Sequence, residues 1–223
     1  IAGDMADAFL DEGRKVYSVG SRTKEKVIEF AKKHNIDKVY DDYHEMFYDD
    51  NVDAVYIATP HNKHFEAIME ALENGKHVLC EKAITLNSSE LNQAVLLAEK
   101  NNLVLAEAMT IYHMPLYKKL SEMVTVSLHA RLPKRAFITC EKAYIELDDY
   151  QRPQTAQITY IDTEKTETVS AGRKDKALFY EIEDMEDAIL GKGNDTYLNL
   201  TVDVMDIMTG LREDWGFKYP EEE

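Results

Sequence analysis

Val55-Tyr56-Ile57-Ala58-Thr59-Pro60-His61-Asn62-Lys63-His64, followed by Gly75-Lys76-His77-Val78-Leu79-Cys80-Glu81-Lys82, decides the fold. The first run is apolar as far as Ala58 and then turns polar, which predicts a strand buried on both faces and ending in a loop. Between the two runs, Phe65, Ile68, Met69 and Leu72 recur at i, i+3, i+4 and i+7, the stripe of a helix with one buried side, and Gly75 stops it. Val78-Leu79-Cys80 is then a second strand. Strand, helix and strand in this order make a parallel βαβ unit with a right-handed crossover. The unit delivers the charged pair Glu81-Lys82 to a strand's C-terminal end, the edge at which open α/β sheets bind ligands.

The pattern extends in both directions. Upstream, Ala2, Met5, Ala6, Phe9 and Leu10 predict a helix stopped by Gly13; Lys15–Val19 is a short strand; Thr23 is placed to cap a helix carrying Val27, Ile28, Phe30 and Ala31; Val39-Tyr40 is a brief strand. Downstream, Ser88 or Ser89 caps a helix with Leu91, Val95, Leu96 and Ala98, and Leu103-Val104-Leu105 is another strand. Strands alternating with helical stretches of roughly 10–15 residues imply a parallel sheet. The predicted fold class of residues 1–118 is therefore α/β, a Rossmann doubly wound parallel sheet. Such domains open with a strand and a Gly-rich turn, whereas this chain opens at a helix. The expectation is that residues are missing before Ile1, with Ala2 in the last small position of the fingerprint.

Residues 119–223 read differently. Val124, Val126, Leu128 and Ala130 alternate with polar residues, and Phe137–Cys140, Ala143–Leu147, Ala156–Tyr160 and Glu167–Val169 follow at short intervals. Two helices come next, about Ala177–Leu190 and Leu200–Arg212, the second with Val204, Ile207, Met208 and Leu211 on one face. Strands joined by turns after βαβ repeats predict a second, α+β domain with a largely antiparallel open sheet. The boundary falls near Pro115–Val124.

Charge narrows the partners. Acids outnumber bases 42 to 26, a formal charge of -16, and no basic cluster exceeds Lys134-Arg135, so nucleic acid is excluded as a partner. No apolar run approaches the roughly 20 residues that span a bilayer. Cys80 and Cys140 both fall in predicted strands and read as two buried free thiols, which fits a cytoplasmic protein.

Candidate site residues gather at predicted strand ends. Ser21-Arg22 occupies the position that selects the cofactor in dinucleotide-binding folds. A carboxylate there bonds the ribose of NAD; a hydroxyl and a guanidinium, as here, favour the 2′-phosphate of NADP, with NAD still possible. Thr59, Pro60 and Asn62 lead into a helix. Thr59 and Asn62 are placed equally well to bond a phosphate, ribose or amide and to cap that helix. His61 and His64 are three apart with no further ligand types beside them, so no metal site is predicted. Lys82, partly desolvated at the sheet edge, is the candidate proton donor to a carbonyl. Tyr112 and His113 follow the last strand of the first domain; His113 is suited to proton transfer on the substrate side and equally to packing.

Together, the Thr59–His64 run, the Gly75–Lys82 run and the segment Glu107–Pro115 resemble the Gfo/Idh/MocA family of NAD(P)-dependent oxidoreductases, most of all its branch of dihydrodiol, sugar and polyol dehydrogenases. The resemblance implies a Rossmann domain, then a domain whose open sheet forms a homodimer or homotetramer. It implies hydride transfer between a nicotinamide and a carbon–oxygen centre of a small polyhydroxylated substrate: a sugar, cyclitol or diol. It places Lys82 against nicotinamide and substrate; Glu81, Thr59, Pro60, Asn62 and His64 on the cofactor side; Ile1 at the Gly-rich turn; and Ser21-Arg22 at the ribose phosphate. Two departures stand out. Ala83 occupies the position where the family usually has proline. A long stretch that carries the family's catalytic partners is also expected between Met123 and Val124, and here these two are adjacent. These departures motivate the alternative reading, a cofactor-binding sensor or regulatory subunit without turnover.

Overall fold

The computed structural model describes residues 1–116, 135–193 and 196–220. The elements, in chain order, are α1 (Ala2–Asp11), β1 (Ser18–Gly20), α2 (Lys24–Lys33), β2 (Lys38–Tyr40), α3 (Tyr43–Phe47), β3 (Ala54–Ile57), α4 (His64–Glu73), β4 (His77–Glu81), α5 (Ser88–Asn101), β5 (Leu105–Ala108) and α6 (Thr110–His113). After them come β6 (Arg135–Thr139), β7 (Ala143–Asp148), β8 (Thr155–Tyr160), β9 (Thr166–Ser170), α7 (Ala177–Ile189) and α8 (Leu198–Asp214). The predicted strand at Val124–Ala130 and the boundary at 118/119 lie outside the described residues. Chain packing separates two units: Ile1–Ala108 with the segment that starts at Glu183, and Met109–Ile182.

The fold class is α/β, as the sequence predicts. In the first unit β3, β4 and β5 pair parallel in that order, with Val55 opposite Val78 and Val78 opposite Leu105. β1 and β2 form a separate parallel pair. The core lies where α4 and α5 cover β3–β5: Ile68, Leu72, Val78, Cys80, Ile84, Leu91 and Ala94 are fully buried. Each aliphatic side chain removed from water there contributes roughly 1.5–3 kcal/mol. The second unit is an antiparallel meander, β6-β7-β8-β9. Ile138, Ile145 and Ile158 are cross-strand neighbours on one face, as are Leu147 and Ala156. Phe137, one residue out of phase, faces solvent at 58% exposure, as the two-residue period requires.

Several local expectations are corrected. Residues 15–17 lie outside β1, because only Ser18–Gly20 find partners on β2. β5 starts two residues late: Asn102 adopts a left-handed conformation and Leu103 N–H bonds to Ala98 O, so this stretch finishes α5 instead of beginning a strand. Neither Ser88 nor Ser89 caps α5; Asn87 does, its Oδ1 accepting from Glu90 N–H at 3.0 Å. The Thr23 side chain makes no capping bond. Cys140 is exposed, because β6 ends at Thr139 and Cys140 N–H closes the hairpin onto Ala143 O; Cys80 is buried. The apolar stripe Val204, Ile207, Met208 and Leu211 of α8 faces solvent. The helix instead turns Thr201 and Met205 inward and packs on α5 and β5.

Candidate active site

The parallel strands end side by side, and the candidate residues sit on the loops that leave them. At the end of β1, Gly20 runs against the start of α3 so closely that a Cβ would lie 2.8 Å from Tyr43 Cα. Any larger residue would push the strand away and move Ser21 and Arg22, which come next. Ser21 Oγ accepts from Thr23 N–H at 3.3 Å, tightening the turn into α2. Burial raises the pKa of the Tyr43 hydroxyl; the Arg22 and Lys63 charges lower it and the Glu66 and Asp42 charges raise it, with Lys63 paired to Glu66 at 2.9 Å. No carboxylate stands at the two positions after β1, which are Ser21 and Arg22.

At the end of β3, Thr59 Oγ1 is buried and has no hydrogen-bond partner among the described residues. A buried, unsatisfied hydroxyl costs about 1–3 kcal/mol. Thr59 does not cap a helix. A short 3₁₀ turn, His61–Lys63, follows Pro60, and the N-cap of α4 is Lys63, whose side chain makes no capping bond. His64 is buried, with Nδ1 3.0 Å from Ala83 O and Nε2 2.9 Å from Thr59 O. It therefore ties the β3 loop to the β4 loop. His61 does the same one turn earlier, Nε2 lying 2.9 Å from Thr85 O. Both histidines serve the backbone, and no cluster of three metal-ligating side chains occurs among the described residues.

β4 ends at Glu81, and Lys82 is the first residue of the loop that leaves it. Glu81 is buried; Tyr56 OH on the neighbouring strand donates to Oε1, and Lys82 N–H reaches Oε2 at 3.3 Å. The Lys82 side chain is exposed, and among the described residues its ammonium makes no hydrogen bond or ion pair. The side-chain partner of Glu81 is Tyr56. The Lys82–Ala83 peptide bond is cis.

Behind the lysine loop lies Glu107, at the end of β5. Its Oε1 accepts from Ile84 N–H at 3.0 Å and its Oε2 from Thr201 Oγ1 at 2.9 Å. Burial raises its pKa; the bonds from Thr201 and Ile84 pull the other way, and the nearby Glu81 charge raises it further. Burial likewise lifts the Cys80 thiol well above its ordinary value, so this cysteine is a packing residue without thiolate character.

The structure brings Glu81, Lys82, Thr59 and His64 onto adjoining loops of one sheet edge. Ile1 is exposed at the start of α1. His113 is the last residue of α6, buried in the second unit. Sequence reading missed Tyr56, Glu107 and Thr201 as supports of the site. Tyr56 carried a signal: it is the one polar-tipped side chain in an otherwise aliphatic strand. Thr201 carried none, since its partner is 94 residues away.

A nicotinamide dinucleotide fits these residues. Among the described residues, the Thr59 hydroxyl, the Lys82 ammonium and the Arg22 guanidinium make no hydrogen bond to a protein acceptor; Thr59 and Lys82 follow neighbouring strands of one sheet, and Arg22 follows β1.

Comparison with known proteins agrees with this geometry. A family described as "Oxidoreductase family, NAD-binding Rossmann fold" matches residues 2–109. Trans-1,2-dihydrobenzene-1,2-diol dehydrogenase of Xenopus laevis is 34% identical over 111 residues, covering 50% of this chain and 34% of that protein. The NADP(+)-dependent scyllo-inositol 2-dehydrogenase IolU of Bacillus subtilis is 38% identical over 123 residues, 53% of this chain and 38% of that protein. The aligned stretch thus spans little more than a third of these relatives. Among solved structures, UDP-N-acetylglucosamine 3-dehydrogenase of Acidithiobacillus ferrooxidans superposes with a TM-score of 0.76 at 18% identity, covering 95% of this chain and 93% of that one. At this identity the likeness is one of fold.

Proposed function

We propose, from the match of residues 2–109 to the Gfo/Idh/MocA oxidoreductase family, that the protein is an NADP-linked oxidoreductase acting on a sugar, cyclitol or diol. The observation that carries the reading is the Lys82 ammonium, exposed and without a protein partner among the described residues, at the ligand edge of a parallel sheet. When bound, the cofactor supplies or accepts the hydride. Lys82 gives a proton to the substrate oxygen as a carbonyl becomes a hydroxyl, and takes it back in the reverse direction. Glu81, fixed by Tyr56, keeps the lysine backbone in place. The Thr59 hydroxyl bonds the cofactor and so loses its desolvation penalty, with Pro60, Asn62 and Ile1 along the same surface. His64 holds the two loops together from beneath.

Ser21 and Arg22 take the 2′-phosphate, which selects NADP. The NADP(+)-dependent inositol dehydrogenase among the relatives supports that preference. His113 is the proposed substrate-side residue in the second unit. A homodimer or homotetramer through the β6–β9 sheet fits that sheet's open face. No helix among the described residues is long and apolar enough to cross a membrane, and two cysteines without a disulfide suit a cytoplasmic setting.

The test combines NADPH fluorescence titration with a panel of sugars, inositols and diols. Lys82→Ala should lower turnover by roughly 10²–10⁴-fold while NADPH affinity changes less than about threefold. NADPH binding without turnover on any member of the panel would support the sensor instead. Absence of binding of both NADPH and NADH would sink both.

A further inference from the structure

The loop from Ala83 to Ser88, immediately after Lys82, is held almost atom by atom from outside. Ile84 N–H goes to Glu107, Thr85 O meets His61, Leu86 N–H goes to Glu90, and Ser88 N–H goes to Thr209 Oγ1 at 3.1 Å. Leu86 O accepts from Arg212 Nη2 at 2.8 Å. Thr209 and Arg212 are both on α8, more than a hundred residues away along the chain.

Arg212 is itself held. Its guanidinium lies 4.7 Å from the centre of the Tyr219 ring. Tyr219 in turn meets the His61 ring edge-on at 6.3 Å, and His61 bonds the adjacent loop residue, Thr85. Tyr219 gets there because α8 ends in a reversal. Gly216 N–H bonds to Glu213 O at 3.0 Å and Phe217 N–H to Arg212 O at 2.9 Å, the two bonds of a Schellman turn, with Gly216 at φ +64°. A planar, fully ionised guanidinium is suited to stacking on a ring with one face while its edge donates to a carbonyl.

We propose that Arg212, stacked on Tyr219, is a positioning residue for Lys82: the C-terminal helix and the turn after it form a clamp that fixes the loop carrying the lysine. The proposal rests on the reading of Lys82 as the group that handles the proton. A purely structural Arg212 would anchor α8 to the body and leave the lysine indifferent to its loss. A positioning Arg212 sets where the ammonium stands, and misplacement by about 1 Å is enough to cost on the order of a hundredfold in rate.

The experiment follows Lys82 directly. The full chain is reductively ¹³C-methylated, and the Lys82 dimethylamine signal is identified by its loss in Lys82→Arg. In Arg212→Ala the Lys82 signal should shift or broaden, and guanidinium at a non-denaturing concentration should restore it. NADPH affinity should hold while turnover falls roughly 10–100-fold. An unchanged Lys82 signal in folded Arg212→Ala overturns the proposal. If Arg212→Ala does not fold, Tyr219→Leu, which keeps the guanidinium and removes the ring beneath it, decides by the same signal. If the Lys82 signal responds but the wild type turns over no substrate, the clamp stands and the hydride-transfer reading fails.

Discussion

The loop after β4 and the hairpins of β6–β9 solve the same problem, how to leave a strand, in opposite ways. In the meander the chain turns back at once and the backbone closes on itself: Cys140 N–H to Ala143 O at 2.8 Å, Tyr160 N–H to Lys165 O at 2.9 Å. Such turns need no help from distant residues. After β4 the chain must cross over to a parallel partner, and apart from Leu86 N–H, which Glu90 meets, the backbone groups of the loop turn to distant side chains. They are met by Glu107, His61, His64, Thr209 and Arg212. Antiparallel pairing satisfies the backbone with backbone, while a parallel crossover recruits side chains from afar. The second arrangement ties the loop after Lys82 to α8, β5 and the β3 loop.

That contrast can be attacked at both ends. Leu72→Ala, in the fully buried stripe of α4, should cost about 2–5 kcal/mol in urea unfolding, whereas Phe137→Ala on the open face of the meander should stay within roughly 0.5 kcal/mol. Equal losses would mean the two units share one core. Thr59→Val should do two opposite things. It removes an unpaired buried hydroxyl, so the ligand-free protein should gain about 1 kcal/mol, while NADPH binding weakens. Loss of stability together with unchanged NADPH affinity would place the hydroxyl outside the site.

Glu107 should appear as a slope. Burial raises its folded pKa above the unfolded value, so the folded state holds the proton to higher pH. Its contribution is fully present below the unfolded carboxyl range, near pH 4.3, and is lost as pH rises through the raised folded value. The stability difference between wild type and Glu107→Gln should therefore shift against the wild type as pH rises from about 4 toward neutrality. A difference that does not vary with pH would show that Glu107 has no raised folded pKa. Smallest of all, Arg135→Ala breaks the exposed Arg135–Asp148 pair at 2.8 Å and should change stability by less than about 0.5 kcal/mol.

Much of this was legible in the residues. The Phe65–Leu72 stripe, the stop at Gly75 and the apolar run into Glu81-Lys82 predict β3, α4 and β4 with small errors at the ends, because burial on a sheet leaves a strict period in the sequence. Alternation predicts the meander equally well. What was not legible depends on contacts without a period. α3 is a five-residue helix whose only local sign is the Asp42 cap. The one-sided apolar stripe of α8 faces solvent, and that helix turns inward the threonines and the arginine that bond the lysine loop and Glu107. A polar residue that serves a distant carbonyl looks in sequence like any surface residue. Ser21-Arg22 and Lys82 could be singled out because a strand end marks them; Arg212 and Tyr219 have no such marker.

The bonds from α8 to the lysine loop also have a bearing on synthesis. Ser88 and Leu86 wait for partners 121 and 126 residues further along the chain. At ribosomal rates of roughly 5–20 residues per second, that interval is on the order of ten seconds. During it, the nascent chain can form β3, α4 and β4 while the loop beyond Lys82 lacks its last braces. The loop beyond Lys82 therefore gains these two bonds only when α8 has left the ribosome, and a chain cut short before Arg212 would keep the bonds from Glu107, His61 and His64 but lack the one to Leu86 O.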